Sequence, residues 1–153
     1  MAHWVMLDYR LPREPSTPRI ALWRRLRQLG AAQIGDGLVT LPLTDETRER
    51  LEWLAEQVRE AGGDAGVWIA QPTTAKQERE LKQRLRTAVA ADYRAVLEAA
   101  EAARKEGVVT RRTVERLRRA VRAIRARDYF PPPERARAER AVEALAALLK
   151  ARV

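Results

Sequence analysis

The residues best suited to chemistry are arginines gathered between Thr110 and Arg127. Eight arginines stand in this stretch against one acid, Glu115. Guanidinium groups bind phosphates and oxyanions in a bidentate manner, and eight of them on about 27 Å of helix repel one another unless an anion neutralises them. A nucleic-acid backbone provides that neutralisation and releases counterions. We therefore predict phosphate contacts by Arg111, Arg112, Arg116, Arg118, Arg119, Arg122 and Arg125.

A purely structural role is the alternative for the same stretch. Arginine stems can cover apolar surface while their head groups pair with acids elsewhere in the chain. Arg111, Arg118 and Arg125 recur every seven residues and therefore share one face of a helix, with Arg122 beside them. Because only one acid lies within the stretch, we favour contact with a polyanion.

A second candidate for chemistry is Asp8, the one carboxylate in an otherwise apolar and aromatic segment. Paired with its mate across a dimer axis, such a carboxylate could bind a divalent metal for phosphodiester hydrolysis. The alternative is a polar residue at a strand end that bonds to Arg10, Arg13 or a loop amide. We favour this alternative because no second acidic ligand is evident nearby.

The composition excludes most catalytic and metal-binding chemistry. The chain has no cysteine and a single histidine, His3, so disulfides, thiol chemistry, zinc or iron–sulfur ligation and a Ser-His-Asp triad fall away. We expect no catalytic residue, no metal and no cofactor, and hence a binding protein and not an enzyme. An oxyanion could still bind at a helix N-terminus formed by Ser16 and Thr17, near Arg13 and Arg19.

The net charge is distributed unevenly along the 153 residues. The chain carries 30 basic and 21 acidic side chains, a formal net charge of +9. Residues 1–73 hold 9 basic and 10 acidic side chains, net −1, whereas residues 74–153 hold 21 and 11, net +10. No apolar run approaches the length of a membrane span, and no signal peptide is evident. We therefore expect a cytoplasmic protein with no membrane partner.

The four tryptophans are expected to lie in the core. Trp4, Trp23, Trp53 and Trp68 each fall in a predicted strand or helix, where an indole buries a large apolar area. Stacking on bases would require exposed rings beside positive charge, and the first half of the chain carries almost no net charge. The interpretation as core residues is therefore preferred.

Strand signals in the first half come in two kinds. Residues 3–9 and 66–70 are rich in apolar and aromatic side chains and read as strands. Two short apolar runs, 31–34 and 38–41, flank an Asp-Gly pair at 36–37, which is a strong hairpin signal.

Two helices lie between these strands. The first begins at Ser16 or Thr17 and ends at Gly30, and the second begins at Thr44 or Asp45 and ends at a Gly-Gly pair. With right-handed crossovers, the resulting βαββαβ order predicts a ferredoxin-like fold with both helices on one face of a four-stranded sheet. The first helix is expected to bury Ile20, Trp23, Leu26 and Leu29.

The second half reads as helical throughout. A capping box at Thr74 opens a long helix that ends at Gly107. The stretch 110–127 forms a second helix with one narrow apolar stripe, and a third follows three consecutive prolines. We therefore predict an α+β protein, with a ferredoxin-like domain over residues 1–73 and an Arg-rich helical region over 74–153. That region packs on the sheet, on itself or on a partner chain.

Five segments of the chain form a specific set. They are LDYRLPREPSTPR (7–19), LWRRLRQLGA (22–31), DGLVTLP (36–42), RLEWLAEQVREAGGDAGVW (50–68) and AIRARDYFPPP (123–133). Together they resemble the N-terminal domain of the ChrB chromate-resistance regulators, whose members are expected to carry a further C-terminal domain. More loosely, the first half resembles small CRISPR-associated adaptation nucleases and the C-terminal part of PaaX-type repressors. The family-motif residues are Arg13, Arg19, Trp23, Arg24, Gly30 and Asp128.

The resemblance implies a DNA-binding transcriptional regulator that controls a chromate-efflux operon. Joined with the arginine stretch, it leads us to expect a homodimer that grips double-stranded DNA through phosphate contacts. Chromate is a tetrahedral oxyanion similar to sulfate, so either is a possible ligand, recognised by charge because the chain has no thiol. Two alternatives stay open: a metal-dependent nuclease of the CRISPR-associated type that uses Asp8, and a protein-interaction module whose basic helix meets an acidic partner.

Overall fold

The structure is a computed structural model in which residues 2–152 are described. The chain forms two compact units, Met1–Arg84 and Leu85–Val153. The division falls inside a helix, whereas the sequence placed the boundary between domains at residue 73.

The first unit has the ferredoxin-like topology expected from the sequence. Its elements are β1 (Trp4–Arg10), α1 (Thr17–Leu29), β2 (Ala32–Gly35), β3 (Leu38–Pro42), α2 (Asp45–Glu60) and β4 (Asp64–Ala70). The strands pair in one antiparallel sheet in the order β2-β3-β1-β4. The α+β class and the βαββαβ arrangement are thereby confirmed.

Short-range sequence signals set the ends of the helices. Gly30 ends α1 in left-handed backbone with φ of 74°, and its N–H donates to the Arg27 carbonyl at 3.1 Å. The Thr44 hydroxyl accepts the N–H of Thr47 at 3.0 Å, while the Thr47 hydroxyl accepts the N–H of Thr44 at 2.9 Å. The caps predicted at Gly30 and Thr44 are therefore present, whereas the Ser16 side chain makes no capping bond.

The core of the first unit lies between one face of the sheet and the helices α1 and α2. Because side chains alternate along a strand, every second residue of β1 and β3 points to this face. The buried residues on the sheet are Val5, Leu7, Val39 and Leu41, and those on the helices are Leu22, Leu26, Leu51, Leu54, Ala55 and Val58.

The opposite face of the sheet is covered where Trp4 and Thr40 are buried. The helix that follows β4 is tied to the sheet on either side of these residues. Glu78 accepts the backbone N–H of Ala2, just before β1, at 2.7 Å. One turn and a half later, Arg84 donates to a carbonyl of β2 at 3.0 Å. The first turns of this helix thus supply the cover that the open face requires.

The prediction that all four tryptophans are buried is wrong for three of them. Trp4 is buried, but Trp23, Trp53 and Trp68 are 57%, 48% and 60% exposed. The prediction relied on each residue lying in a helix or strand. In so small a unit each element presents one face to the core, and these three indoles lie on other faces.

The helix α1 also buries a different face from the predicted one. Ile20 and Trp23, which began the predicted stripe, are exposed, whereas Leu22 and Leu26 point into the core. Spacings of three and four residues fit two neighbouring faces of this helix equally well. The guanidinium of Arg27 lies 5.3 Å from the centre of the Trp23 ring, a cation–π contact that partly shields the exposed indole.

The second unit is helical, as expected. The helix α3 (Ala75–Glu106) begins in the first unit, and α4 (Arg111–Arg125) and α5 (Pro133–Ala151) follow. Among residues 2–152, no helix combines the length and hydropathy that a membrane crossing needs. The core of this unit includes Val89, Tyr93, Val96, Ala100, Val114, Leu117, Val121, Ile124, Ala138, Val142 and Leu145.

Candidate nucleic-acid interface on α4

The arginine-rich helix α4 is anchored by one apolar stripe. Its N-terminus is capped by Thr110, whose hydroxyl accepts the N–H of Thr113 at 3.1 Å. The predicted stripe is confirmed, because its four members are buried in the core of the second unit, and the arginines are therefore displaced to the remaining faces. The stripe consists of Val114, Leu117, Val121 and Ile124.

Half of the arginines in this stretch are paired with carboxylates. Arg118 donates two hydrogen bonds to Glu143 of α5, at 3.1 and 2.9 Å. Hydrogen bonding to Arg118 lowers the pKa of the Glu143 carboxyl, and Glu143 raises the pKa of Arg118 in return. The other pairs are Arg125 with Glu139 at 3.2 Å, Arg127 with Asp92 at 2.9 Å, and Arg111 with Glu115 at 3.2 Å.

The other four arginines are exposed, and no salt bridge joins them to a residue within 2–152. Arg112, Arg116 and Arg119 follow one another at spacings of four and three residues. They therefore form one row on the face of α4 opposite the buried stripe. Arg122 lies between this row and α5, in a cleft of about 310 Å³ that also contains the paired Arg118 and Arg125. These four side chains are the ones free to meet an external anion.

The structure thus divides the predicted set of seven arginines into two groups. Arg111, Arg118 and Arg125, the heptad series seen in the sequence, each hold a carboxylate. The sequence argument counted acids only within residues 110–127 and missed the glutamates of α5. The sequence did contain a sign of these pairs. Glu139 and Glu143 are four residues apart and therefore share a face of α5, as Arg118 and Arg125 share a face of α4.

A buried polar pair fixes the turn that follows α4. The side chain of Asp128 is fully buried and accepts the hydroxyl of Tyr93 at 2.7 Å, and Arg135 lies 3.7 Å from the same carboxylate oxygen. Burial, followed by the hydrogen bond to Asp128 and its charge, raises the pKa of Tyr93 well above the usual tyrosine range. The family-motif residue Asp128 therefore holds the start of the α4–α5 connection against α3.

The remaining motif residues lie in the first unit. Arg13 is exposed in the loop before α1, and Arg19, Trp23 and Arg24 are exposed on α1 itself. Gly30 is the C-cap of this helix. The structure thus brings three of the motif residues onto one helix and gives Gly30 a conformational role.

Asp8 lies at the end of β1 and is exposed, opposite Leu38 on one side and Gly66 on the other. None of the three partners considered from the sequence pairs with it within the described residues. The same part of the chain contains no group of three or more side chains able to hold a metal ion.

Fold and surface together define a two-unit α+β protein with a basic helical surface. The family model described as Protein ChrB, N-terminal, matches residues 19–108, which span β2 to α3 and most of α1. The chain therefore belongs to this family, and the resemblance to the N-terminal domain of the ChrB chromate-resistance regulators is confirmed. The helix α4 lies beyond the matched range.

A curated relative extends the match over more of the chain. Protein ChrB of Cupriavidus metallidurans (strain ATCC 43123 / DSM 2839 / NBRC 102507 / CH34) is 31% identical over 141 residues, which cover 89% of this chain and 43% of that protein. The chain thus spans less than half the length of this relative. No solved structure matches the chain.

Proposed function

We propose that the chain is a DNA-binding regulator of chromate resistance that acts by binding and not by catalysis. Family membership supports the link to chromate resistance. The expected oxyanion ligand, chromate or sulfate, stays a prediction, as do the nuclease and protein-interaction alternatives. The exposed arginine row of α4 supports the choice of DNA as the partner.

The observation that carries the proposal is the row Arg112, Arg116 and Arg119, together with Arg122. Their charges are not neutralised by a described carboxylate, so a polyanion gains their full attraction without breaking an existing pair. The row is about 10 Å long at 1.5 Å per residue, whereas duplex DNA carries a charge about every 1.7 Å of its axis. One row can therefore reach several phosphates, which favours affinity over sequence selection.

The test removes this row. In the triple variant Arg112→Gln, Arg116→Gln, Arg119→Gln we expect the affinity for a duplex, measured by fluorescence anisotropy at about 100 mM salt, to fall at least about thirtyfold. The slope of log K against log salt concentration should become shallower by about 2 to 3, because each lost phosphate contact contributes about 0.9.

The matched control lies on the same helix. The variant Arg111→Gln, Arg118→Gln, Arg125→Gln loses the same formal charge, but from arginines that already hold carboxylates. It should bind DNA more tightly than the row variant and keep more of the salt slope. Equal losses of DNA affinity in the two variants would show that only the net charge of the helix matters, and not the unpaired row. Wild-type protein that binds no duplex at about 50 mM salt would refute the proposal and favour an acidic protein partner.

A further inference from the structure

The strand β4 leaves one edge of the sheet open. It is the last strand in the order β2-β3-β1-β4, and it is seven residues long. An open edge presents backbone N–H and C=O groups that can pair with another strand. The hydrogen bonding of β1 shows which residues of β4 have their backbone groups on this outer side.

Successive residues of β1 form backbone hydrogen bonds alternately with β3 and with β4. The N–H of Tyr9 donates to the Gly37 carbonyl, on the β3 side, at 2.8 Å. In an antiparallel ladder successive residues point to opposite sides, so Met6 and Asp8 bond toward β4. Their partners in register are Trp68 and Gly66. The backbone groups of the intervening residues of β4, at 65, 67 and 69, therefore face outward.

One of these outward positions is already in use. The Ala65 carbonyl accepts a hydrogen bond from Arg59 of α2 at 2.9 Å. Within the described residues, no hydrogen bond of this kind reaches Val67 or Ile69 on the outer side. The free part of the edge is thus centred on residue 68.

The side chains around this centre are apolar and exposed. Trp68 and Ile69 are 60% and 56% exposed, on opposite faces of the strand. The Trp68 ring lies along β4 over Gly66, where a Cβ would approach its Nε1 to 3.0 Å. Exposed apolar residues on both faces of an unpaired strand are typical of an association site.

The other edge of the sheet is protected, which makes β4 the exception. The strand β2 has four residues and an irregular register between Gln33 and Gly35. The carbonyl of Gln33 is also taken by Arg84. In contrast, β4 contains neither proline nor lysine and keeps a regular register with β1. Short strands, bulges and covered carbonyls block edge pairing, and β4 has only its one bonded carbonyl.

We propose that β4 pairs with β4 of a second copy of this chain, antiparallel about a two-fold axis at Trp68. This register uses the free groups of Val67 and Ile69 and spares the bonded carbonyl of Ala65. Val67 then forms hydrogen bonds with Ile69 of the partner subunit, and the two Trp68 residues stand directly opposite each other at the axis. Each Trp68 ring extends over Gly66 of its own strand. Gly66 faces Ala70 of the partner subunit, so that no bulky side chain obstructs the rings.

A second copy fits this edge better than an unrelated strand because the edge is self-complementary. The pairs that the two-fold axis creates within residues 66–70 are all apolar, and the main-chain donors and acceptors match in number. Pairing joins the two sheets into one of eight strands and leaves only the protected β2 edges.

The first test is the mass in solution. Sedimentation equilibrium should give twice 17.4 kDa for the wild type. Val67→Pro removes an outward N–H and leaves the β1–β4 bonds intact, so it should raise the dimer dissociation constant by at least about a hundredfold. The control Val67→Thr keeps both the N–H and the branched side chain and should remain dimeric. Unchanged circular dichroism shows that the proline variant is folded.

The second test maps the axis and does not depend on the proline variant. Because the chain has no cysteine, Trp68→Cys introduces one thiol per subunit. The two thiols should form a disulfide on oxidation with copper phenanthroline, because directly opposed Cα atoms are about 4.5 Å apart. Ala70→Cys is the control, since its two copies would be about 13 Å apart and outside disulfide range.

Two outcomes would overturn the proposal. One is a wild-type protein that remains monomeric at about 100 µM, a concentration well above the dissociation constants of specific dimers. The other is equal cross-linking of the two cysteine variants. Neither outcome bears on DNA binding, and the variant lacking the arginine row should still form dimers. The two proposals can therefore fail separately.

Discussion

At the scale of single residues, the pair of Tyr93 and Asp128 is the most constrained polar contact of the second unit. Both side chains are buried, and one oxygen of Asp128 has no hydrogen-bond partner within the described residues. Burying a carboxylate without hydrogen-bond donors costs folding free energy. The Tyr93 hydroxyl donates to Asp128 at 2.7 Å, whereas the Arg135 guanidinium lies 3.7 Å away. The pair therefore connects α3 to the residues after α4 only while Tyr93 keeps its proton.

This requirement makes the stability of the protein sensitive to alkali. Burial and Asp128 raise the pKa of Tyr93 above its ordinary value of 10.0. The folded state therefore holds the proton more tightly than the unfolded state. Its stabilising contribution is complete below pH 10 and is lost as the pH rises above it.

Tyr93→Phe removes the hydroxyl from this contact. We expect the free energy of unfolding at pH 7 to fall by about 1–3 kcal/mol, because Asp128 loses a donor while remaining buried. The decline of stability between pH 9 and 11 should also become shallower than in the wild type. Urea unfolding followed by circular dichroism at pH 7, 9 and 11 measures both the loss of stability and its dependence on pH. An unchanged stability at pH 7 would contradict a role for the hydrogen bond.

At the scale of elements, the β2–β3 hairpin depends on one glycine. Gly37 has a positive φ of 69°, and a Cβ there would come within 2.3 Å of the Tyr9 carbonyl oxygen. The turn therefore needs a backbone conformation that strains any L residue with a Cβ. The Cβ would also press against β1, which is hydrogen-bonded to strands on both sides. Gly35, two residues earlier, has open space around it.

These two glycines give a matched pair of substitutions. Gly37→Ala should lower the free energy of unfolding by at least about 2 kcal/mol, from positive-φ strain and the clash with β1. Gly35→Ala should change it by less than about 1 kcal/mol, because nothing obstructs the new methyl group. Thermal unfolding of both variants makes the comparison. Similar losses would show that the turn tolerates a Cβ at Gly37.

The elements also separate what sequence can predict from what it cannot. The Asp-Gly turn, the Gly30 cap and the Thr44 cap were predicted because each depends on a few neighbouring residues. The face that α1 buries was not predicted. Ile20 with Trp23 and Leu22 with Leu26 both fit the three- or four-residue spacing of an apolar helical face, so the spacing does not say which pair is buried. The pairing of Arg118 with Glu143 was not predicted either, since it depends on how α4 meets α5, 25 residues away.

At the scale of the whole molecule, the positive charge lies mainly in the second unit. Residues 85–153 carry 17 basic and 9 acidic side chains, a net charge of +8, whereas residues 1–84 carry 13 and 12. Exposed ion pairs contribute little to stability. The repulsion among unpaired arginines is therefore the larger electrostatic effect in that unit.

This balance predicts how salt acts on stability. Raising the NaCl concentration from about 20 to 500 mM shortens the screening length from about 20 Å to about 4 Å. It should raise the thermal midpoint by about 2–5 °C, because it screens more repulsion than attraction. Circular dichroism at 222 nm detects the change. A midpoint that falls with salt would mean that the paired arginines, such as Arg118 and Arg125, stabilise the unit more than the unpaired ones destabilise it.

The surface tryptophans have a practical consequence. Trp23, Trp53 and Trp68 are exposed on α1, α2 and β4 respectively, while Trp4 is enclosed. An indole in water emits at longer wavelength than an enclosed one and is quenched by soluble acrylamide. The chain therefore carries three natural optical reporters on three different elements. Replacing them one at a time with phenylalanine would reveal, from emission alone, which surface becomes covered when a partner binds.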